Sequence, residues 1–280
     1  MRGLNLPSFP KGGIFMENNG ILREDEMIFH LNNRVLKDLP NNLQDLILNI
    51  FGILNLNTVI KCKRVFGYRK PDFRIIANGL SVGVSMKSGC AHVLHVEDLL
   101  QFLKFLYDNG VSKKTLNAIR LFHYGDGTYN GTGKNRMTCH EAYEAYKEEI
   151  DEANKELNSS KELILKVMNR VVFDGFGEDD EEAEYLYHGS YKEGVFISRG
   201  QFKSHIMKKD WESSPLRFPH IGPFMLLPER RYPHGRIMTS PERRHRIEVN
   251  MPHLKETVKY IAEHNPGYTY RHKKPFGEGS

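Results

Sequence analysis

The feature that most constrains this chain is a pair of short strand-like segments joined by a two-residue turn. Residues 72–78 and 80–87 are rich in β-branched residues and meet at Asn78-Gly79. Asn-Gly between two such runs is the strongest short-range signal for a β-hairpin, because both residues tolerate the positive φ angles of a tight turn. The sequence therefore predicts two adjacent antiparallel strands at this point.

Helical patterns lie on both sides of this hairpin. Apolar residues spaced three and four apart predict an amphipathic helix over residues 23–36, and Gly52 is the expected stop of a second helix. The remaining predictions are helices over 41–51, 96–107, 113–122 and much of 140–173, strands over 185–188, 195–199, 224–227 and 246–249, and a closing helix over 252–264. This order predicts an α/β fold, on the border with α+β, with a central sheet flanked by helices.

Composition excludes several classes of protein. The chain has 280 residues, of which 39% are hydrophobic and 27% are charged, as in ordinary globular domains. Three cysteines, Cys62, Cys90 and Cys139, have no C-x-x-C spacing, which argues against a disulfide framework and against a cysteine zinc site. The apolar runs are too short to span a membrane, and the first residues lack the apolar core of a signal peptide. We therefore expect a cytoplasmic protein that does not contact membranes.

The formal net charge of +5 hides an uneven distribution. Residues 1–139 carry a net charge of +7, residues 140–187 carry −10, and residues 188–280 carry +8. Two basic flanks make a polyanion a plausible partner, and like-charge repulsion would keep the acidic segment away from it.

A carboxylate and an ammonium are expected to meet at one corner of the hairpin. Asp72 follows Pro71 at the start of the first strand, and Lys87 lies at the end of the second, in the run Ser85-Met86-Lys87. Mg²⁺ in proteins is held by one or two carboxylates together with substrate phosphate oxygens. A nearby lysine can position the attacking water and offset the charge that develops on the phosphate. This combination is typical of phosphodiester hydrolysis.

Pro71-Asp72 followed by Ser85-Met86-Lys87 resembles the PD-(D/E)XK nuclease superfamily, which includes the type II restriction endonucleases. The resemblance implies a mixed sheet flanked by helices, Mg²⁺ as cofactor, Asp72 as a metal ligand and Lys87 as the catalytic lysine. Ser85 stands where the family usually has a second acid, so it would only support the site. By analogy with family members that have S-x-K, the second metal ligand would be Glu97, at the start of the helix over 96–107. Asp98 is the competing candidate.

A further acid from the first helix often completes sites of this kind. Glu26 is the candidate for this supporting role, because it adjoins the predicted apolar face at Met27, and Glu24 is the alternative.

Basic residues are the candidates for DNA contact. Those near the hairpin are expected on the catalytic side, and those in the carboxy-terminal segment could contact the backbone or read guanines. They are Lys61, Lys63, Arg64, Arg69, Lys70, Lys134, Arg136, Arg230, Arg231, Arg243, Arg244 and Arg246.

Taken together, the sequence predicts one nuclease domain over residues 1–280, with a catalytic core at about 20–125, an acidic helical segment at about 139–183 and a basic segment at about 184–280. The predicted activity is that of a Mg²⁺-dependent DNA endonuclease of a restriction system, acting on double-stranded DNA as a homodimer. One alternative is a nucleic-acid-binding protein with an inactive site, since Ser85 replaces an acid. Another is a phosphate-ester enzyme that binds a nucleotide through the glycine-rich loop at 125–133.

Overall fold

The computed structural model describes residues 19–66, 70–89, 92–175, 182–229 and 241–264. Three predicted DNA contacts, Arg69, Arg230 and Arg231, lie outside the described residues. Within the described part of the chain, no helix is both long enough and apolar enough to cross a lipid bilayer.

Ten strands and nine α-helices are present in the described part of the chain. In chain order they are α1 (Asn19–Leu31), β1 (Arg34–Val35), α2 (Asn41–Phe51), β2 (Val59–Arg64), β3 (Phe73–Ala77), β4 (Leu80–Lys87), β5 (Val93–Asp98), α3 (Leu99–Asp108), α4 (Lys113–Tyr124), α5 (Cys139–Ala145), α6 (Lys147–Ser159), α7 (Lys161–Met168), β6 (Tyr185–Gly189), β7 (Gly194–Ser198), α8 (Arg199–Met207), β8 (His220–Ile221), β9 (Phe224–Pro228), β10 (Arg246–Asn250) and α9 (Leu254–His264). A π-helical segment, Asn169–Asp174, follows α7.

The strands form two sheets. The larger is mixed, with the order β1-β2-β3-β4-β6-β7, in which only β4 and β6 run parallel. The smaller is antiparallel, with the order β5-β10-β9-β8. This confirms the predicted class, a mixed sheet flanked by helices, and adds a second sheet that the sequence did not predict.

The predicted hairpin is confirmed as β3 and β4. Asn78 and Gly79 both have positive φ angles, 48° and 80°, and the strands pair from Phe73 opposite Val84 to Ala77 opposite Leu80. Side chains that face each other across an antiparallel pair share one face of the sheet. Phe73 and Val84 are fully buried, so this face of the hairpin belongs to the core.

Three elements near the hairpin differ from the prediction. The first helix ends at Leu31 and is followed by the short strand β1, rather than continuing to residue 36. Strand β2 is not among the predicted elements, because its lysines resemble a surface charge cluster, but Ile60 and Cys62 are buried and alternate with exposed neighbours. That alternation is a period-two strand signal.

The third difference concerns residues 96–98. They belong to strand β5, and α3 begins only at Leu99. Asp98 caps the helix, because its side chain accepts hydrogen bonds from the backbone amides of Leu100 (2.8 Å) and Gln101 (3.1 Å). Glu97 is therefore a strand residue in the smaller sheet, not the first residue of a helix.

Candidate functional site

Strand alternation places the predicted catalytic residues of β4 on one face of the larger sheet. Ser85 and Lys87 lie on the face opposite to the buried Val84 and Met86, because successive side chains of a strand point to opposite sides. Asp72 precedes β3, and its amide donates to the carbonyl of Val84 (3.0 Å). The strand pairing thus continues to Asp72 and brings its side chain to Ser85.

The carboxylate of Asp72 is held firmly by β4. Its Oδ2 accepts hydrogen bonds from the amide of Met86 (2.5 Å) and from the hydroxyl of Ser85 (3.2 Å). Burial opposes ionisation of this group, but the positive charges of Lys70 and Lys87, together with these hydrogen bonds, hold the pKa of Asp72 below its usual value. Asp72 is therefore ionised at neutral pH.

A second lysine lies inside the site. Lys70 is 6% exposed, and its Nζ donates to Ser85 Oγ (2.7 Å) and lies 3.7 Å from Asp72 Oδ1. Burial lowers the pKa of Lys70 to about 8, although the charge of Asp72 acts in the opposite direction. The sequence assigned Lys70 to DNA contact, whereas in the structure its ammonium contacts the candidate catalytic residues themselves.

The second carboxylate in the electrostatic environment of Asp72 comes from α1. Burial, followed by the negative charge of Asp72, raises the pKa of Glu24 to about 7. The positive charges of Lys87, Arg64 and Lys70 act in the opposite direction. The first turns of α1 also approach the end of β4, since Nη1 of Arg23 lies 3.8 Å from where a Cβ of Gly89 would be. Glu24, the alternative candidate from the sequence, is thus electrostatically coupled to Asp72, and its Oε2 also lies 3.9 Å from Nη2 of Arg64.

The favoured candidate on this helix, Glu26, lies elsewhere. Glu26 is exposed, whereas Glu24 is half-buried. The charges of Asp72 and Lys87 both act on the pKa of Glu24. The reason is helical phase: residues 24, 27 and 31 follow the buried stripe of α1, on which Met27 and Leu31 are fully buried.

Glu97 is engaged by another partner. Its side chain is fully buried, and Arg170 donates to both of its oxygens, from Nε to Oε1 (3.0 Å) and from Nη2 to Oε2 (2.6 Å). His95 Nε2 lies 3.4 Å from Oε1. Burial works against ionisation, but hydrogen bonds from His95 and Arg170 lower the pKa of Glu97. This two-pronged ion pair occupies the carboxylate, so the structure does not support the assignment of Glu97 as a metal ligand.

Exposed lysines follow the same face of the sheet as Ser85. In β2, Lys61 and Lys63 are exposed, and Lys63 lies opposite Arg74 of β3. Arg74 was not identified from the sequence, and its guanidinium donates to Ser81 Oγ (2.8 Å). Because Arg74 lies two residues after Asp72, the face that carries the candidate site also carries a row of positive charge.

Several other predicted DNA contacts are engaged within the protein. Arg64 lies on the opposite face and pairs with Asp25 (2.6 Å). Arg136 is buried and donates to the carbonyls of Tyr124 (2.8 Å) and His123, so its assignment to DNA contact is corrected.

In the carboxy-terminal segment, Arg244 donates to Asp126 Oδ2 (2.5 Å) and to the carbonyl of Gly133 (2.8 Å). Arg246 lies 3.7 Å from Glu229. Lys134 is exposed, and Arg243 is half-buried.

The glycine-rich loop is organised around a carboxylate. The Asp126 side chain is fully buried and accepts hydrogen bonds from the amides of Thr128 (2.9 Å) and Gly133 (2.9 Å), and the hydroxyl of Thr128 accepts from the amide of Gly131 (3.0 Å). These amides are the groups that a phosphate would need. The loop therefore does not resemble a preformed nucleotide phosphate site.

The acidic segment is divided between two locations. Its helices α5 and α6 pack against α4, and α6 also contacts β8 of the smaller sheet. The last part of the segment, however, forms β6, which pairs directly with β4 and places Leu186 beside Ser85. Among the described residues of this part, those paired with Ser85, Met86 and Lys87 are Leu186, Tyr187 and His188, none of which is acidic, and the amide of Glu184 donates to the carbonyl of Gly83 (2.9 Å).

Comparisons with known proteins add little to this geometry. No protein-family model matches the sequence, and no curated protein sequence matches it. A solved structure that does match is that of the restriction endonuclease MspI in complex with its cognate DNA. The match covers 82% of this chain and 88% of that chain, with 12% identity and a TM-score of 0.43. A likeness with this score carries no argument about the activity or the residues of the present chain.

The raised pKa of Glu24 predicts a pH-dependent effect on stability. The pKa of Glu24 is 4.5 in the unfolded chain and about 7 in the folded chain. The folded state therefore binds the proton more tightly, and the stability that this proton confers is lost as the pH rises from 4.5 through 7. In metal-free buffer we expect Glu24→Gln to raise the free energy of unfolding at pH 8 by about 3 kcal/mol relative to its effect at pH 4.5. Urea unfolding at both pH values measures this difference.

The matched control is Glu26→Gln, an exposed carboxylate on the same helix, which should change stability by less than about 0.5 kcal/mol at either pH. An effect of Glu24→Gln that is the same at both pH values would contradict the raised pKa.

Proposed function

We propose that this protein is a Mg²⁺-dependent endonuclease that hydrolyses phosphodiester bonds of double-stranded DNA, in the manner of a type II restriction endonuclease. One observation carries the proposal. Asp72, Ser85 and Lys87 share a face of the β3–β4 hairpin, a second carboxylate, Glu24 of α1, is coupled electrostatically to Asp72 and Lys87, and exposed lysines continue along that face.

The residues present fit a magnesium ion that is shared with substrate. Among the described residues, no group of three or more His, Cys, Asp or Glu side chains could hold a metal by itself. Asp72 and Glu24 supply two carboxylates, which suffice for Mg²⁺ when waters and substrate phosphate oxygens complete the coordination. In this proposal Asp72 and Glu24 replace the pair Asp72 and Glu97. When bound, the ion would supply Lewis-acid stabilisation of the phosphate.

The chain's own residues have separate roles in this proposal. Lys87 orients the attacking water and offsets negative charge on the transferred phosphate. Ser85 and the amide of Met86 fix the orientation of Asp72 through its Oδ2. Glu24 has a pKa of about 7 and therefore titrates near neutral pH. A cation that binds beside it can displace its proton and pair with the carboxylate.

The exposed lysines of β2 would contact the DNA backbone beside the site. Lys61 and Lys63 lie on the same face as Ser85, and phosphate contacts of this type supply most of the sequence-independent affinity for DNA. From the sequence, Lys134, Arg243, Arg69, Arg230 and Arg231 remain candidates for further contacts. Arg64, Arg136 and Arg244 are left out of the proposal, because their guanidinium groups are bound within the protein.

Replacing the site residues should abolish cleavage without unfolding the protein. We expect Asp72→Asn, Lys87→Met and Glu24→Gln each to lower the rate of plasmid cleavage in Mg²⁺ by at least about a hundredfold, the range for loss of a catalytic group. Single-turnover gel assays measure the rate, and thermal unfolding checks the fold.

Lys155→Met is the matched control, since Lys155 is an exposed lysine on α6. Full cleavage by the Asp72 or the Lys87 variant would refute the proposed site. If the unmodified protein binds duplex DNA but does not cut it, the alternative of an inactive nucleic-acid-binding protein is correct.

The proposed DNA face should show itself in the salt dependence of binding. Each phosphate contact contributes about 0.9 to the slope of log K against log salt concentration, so Lys61→Ala with Lys63→Ala should lower its magnitude by about 2. Fluorescence anisotropy with a labelled duplex, at salt concentrations from about 50 to about 200 mM, measures the slope. Lys104→Ala with Lys114→Ala removes two exposed lysines from α3 and α4 and should leave the slope unchanged. An equal slope in both double variants would rule out the β2 face.

We also propose that the protein acts as a homodimer. Cutting both strands of a symmetric duplex site calls for two active sites related by a two-fold axis. Light scattering of the DNA-bound protein should give two chains of 32.4 kDa for each duplex. A single chain for each duplex would exclude the dimer.

A further inference from the structure

We infer that Lys70 is an internal competitor for the divalent cation, which keeps the site from loading with metal until substrate phosphate is present. This inference rests on the proposed function, because it concerns the same carboxylates. The observation behind it is that the ammonium of Lys70 lies beside the atom of Asp72 that is best placed to bind a cation.

The two oxygens of Asp72 are not equivalent. Oδ2 accepts the hydrogen bonds from the Met86 amide (2.5 Å) and the Ser85 hydroxyl (3.2 Å). Oδ1 is the oxygen that faces Lys70, at 3.7 Å from Nζ. A cation that binds Asp72 without breaking the contacts to β4 must therefore approach Oδ1, where the ammonium already lies.

The ammonium of Lys70 is fixed in this position. Lys70 is buried, and Nζ donates to Ser85 Oγ over 2.7 Å. Ser85 is fully buried and donates in turn to Asp72. Lys70, Ser85 and Asp72 thus form a closed ring of contacts, in which the hydrogen bond to Ser85 holds the ammonium beside Oδ1.

The charges of the site explain the consequence. Two carboxylates, Asp72 and Glu24, lie near two ammonium groups, Lys70 and Lys87, so the side chains alone give little net negative charge to attract Mg²⁺. A glutamate at position 85 would add a negative charge to the site. Ser85 instead offers a neutral hydroxyl, which accepts a hydrogen bond from Lys70. The missing negative charge must then come from DNA phosphate, which couples metal binding to substrate binding.

The experiment measures metal binding to the full chain without any turnover. Mn²⁺, which prefers the same oxygen ligands, is titrated into the protein, and the free ion is followed by electron paramagnetic resonance. Removing the competing positive charge should tighten binding, so we expect Lys70→Met to lower the Kd for Mn²⁺ about tenfold in the absence of DNA. A lysine with a purely structural role would give the opposite result, because its loss would loosen the site and weaken binding.

Three controls isolate the charge at this position. Lys70→Gln is neutral but can still donate to Ser85, so it should also tighten binding, and it serves if Lys70→Met does not fold. Lys70→Arg keeps the charge and should leave the Kd within about threefold. Lys155→Met removes an equal charge from an exposed position on α6, and it should leave the Kd nearly unchanged because solvent screens exposed charges.

The outcomes separate this inference from the proposed function. If folded Lys70→Met and Lys70→Gln variants bind Mn²⁺ no more tightly than the unmodified chain, the inference is wrong, whether or not the enzyme cleaves DNA. If both variants bind tightly and Asp72→Asn in the Lys70→Met background abolishes that binding, the inference holds. It would hold even if the unmodified protein showed no cleavage, in which case only the proposed endonuclease activity would fall.

Discussion

The site depends on one interaction, the pair of hydrogen bonds that strand β4 donates to the carboxylate of Asp72. The backbone amide of Met86 and the hydroxyl of Ser85 both donate to Oδ2 of this residue. A buried carboxylate is costly unless hydrogen bonds and opposite charges compensate for the lost hydration. Here the hairpin supplies the hydrogen bonds, and Lys70 and Lys87 supply the charge, so that a charged group is retained at the corner of an apolar sheet.

This interaction links the core to the candidate chemistry. The buried face of the hairpin, with Phe73 and Val84, fixes the register of β3 and β4. Because side chains alternate, the same register places Ser85, Lys87 and the exposed lysines of β2 on the opposite face. The core packing of one face therefore determines which charged groups meet on the other, and a slip of one residue would separate them.

The two acids favoured from the sequence, Glu97 and Glu26, illustrate the limits of sequence patterns. Glu97 matched the family analogy, but it lies in a strand of a second sheet and is bound by Arg170, 73 positions further along the chain. No local pattern could reveal that ion pair, because it depends on how the π-helical segment after α7 packs. Glu24 could have been preferred over Glu26 by helical phase, since residues 24, 27 and 31 define one buried stripe of α1.

The sequence by itself determined the hairpin, the approximate limits of most helices and the meeting of Asp72 with Ser85-Met86-Lys87. These are local properties, set by turn chemistry and by the period of apolar residues over a few positions. Only the tertiary structure decided that the charge of Asp72 raises the pKa of Glu24, that Arg170 binds Glu97, and that Lys70 contacts Asp72 and Ser85. Each of these depends on contacts between distant segments, where burial and charge balance, rather than local pattern, decide which partners meet.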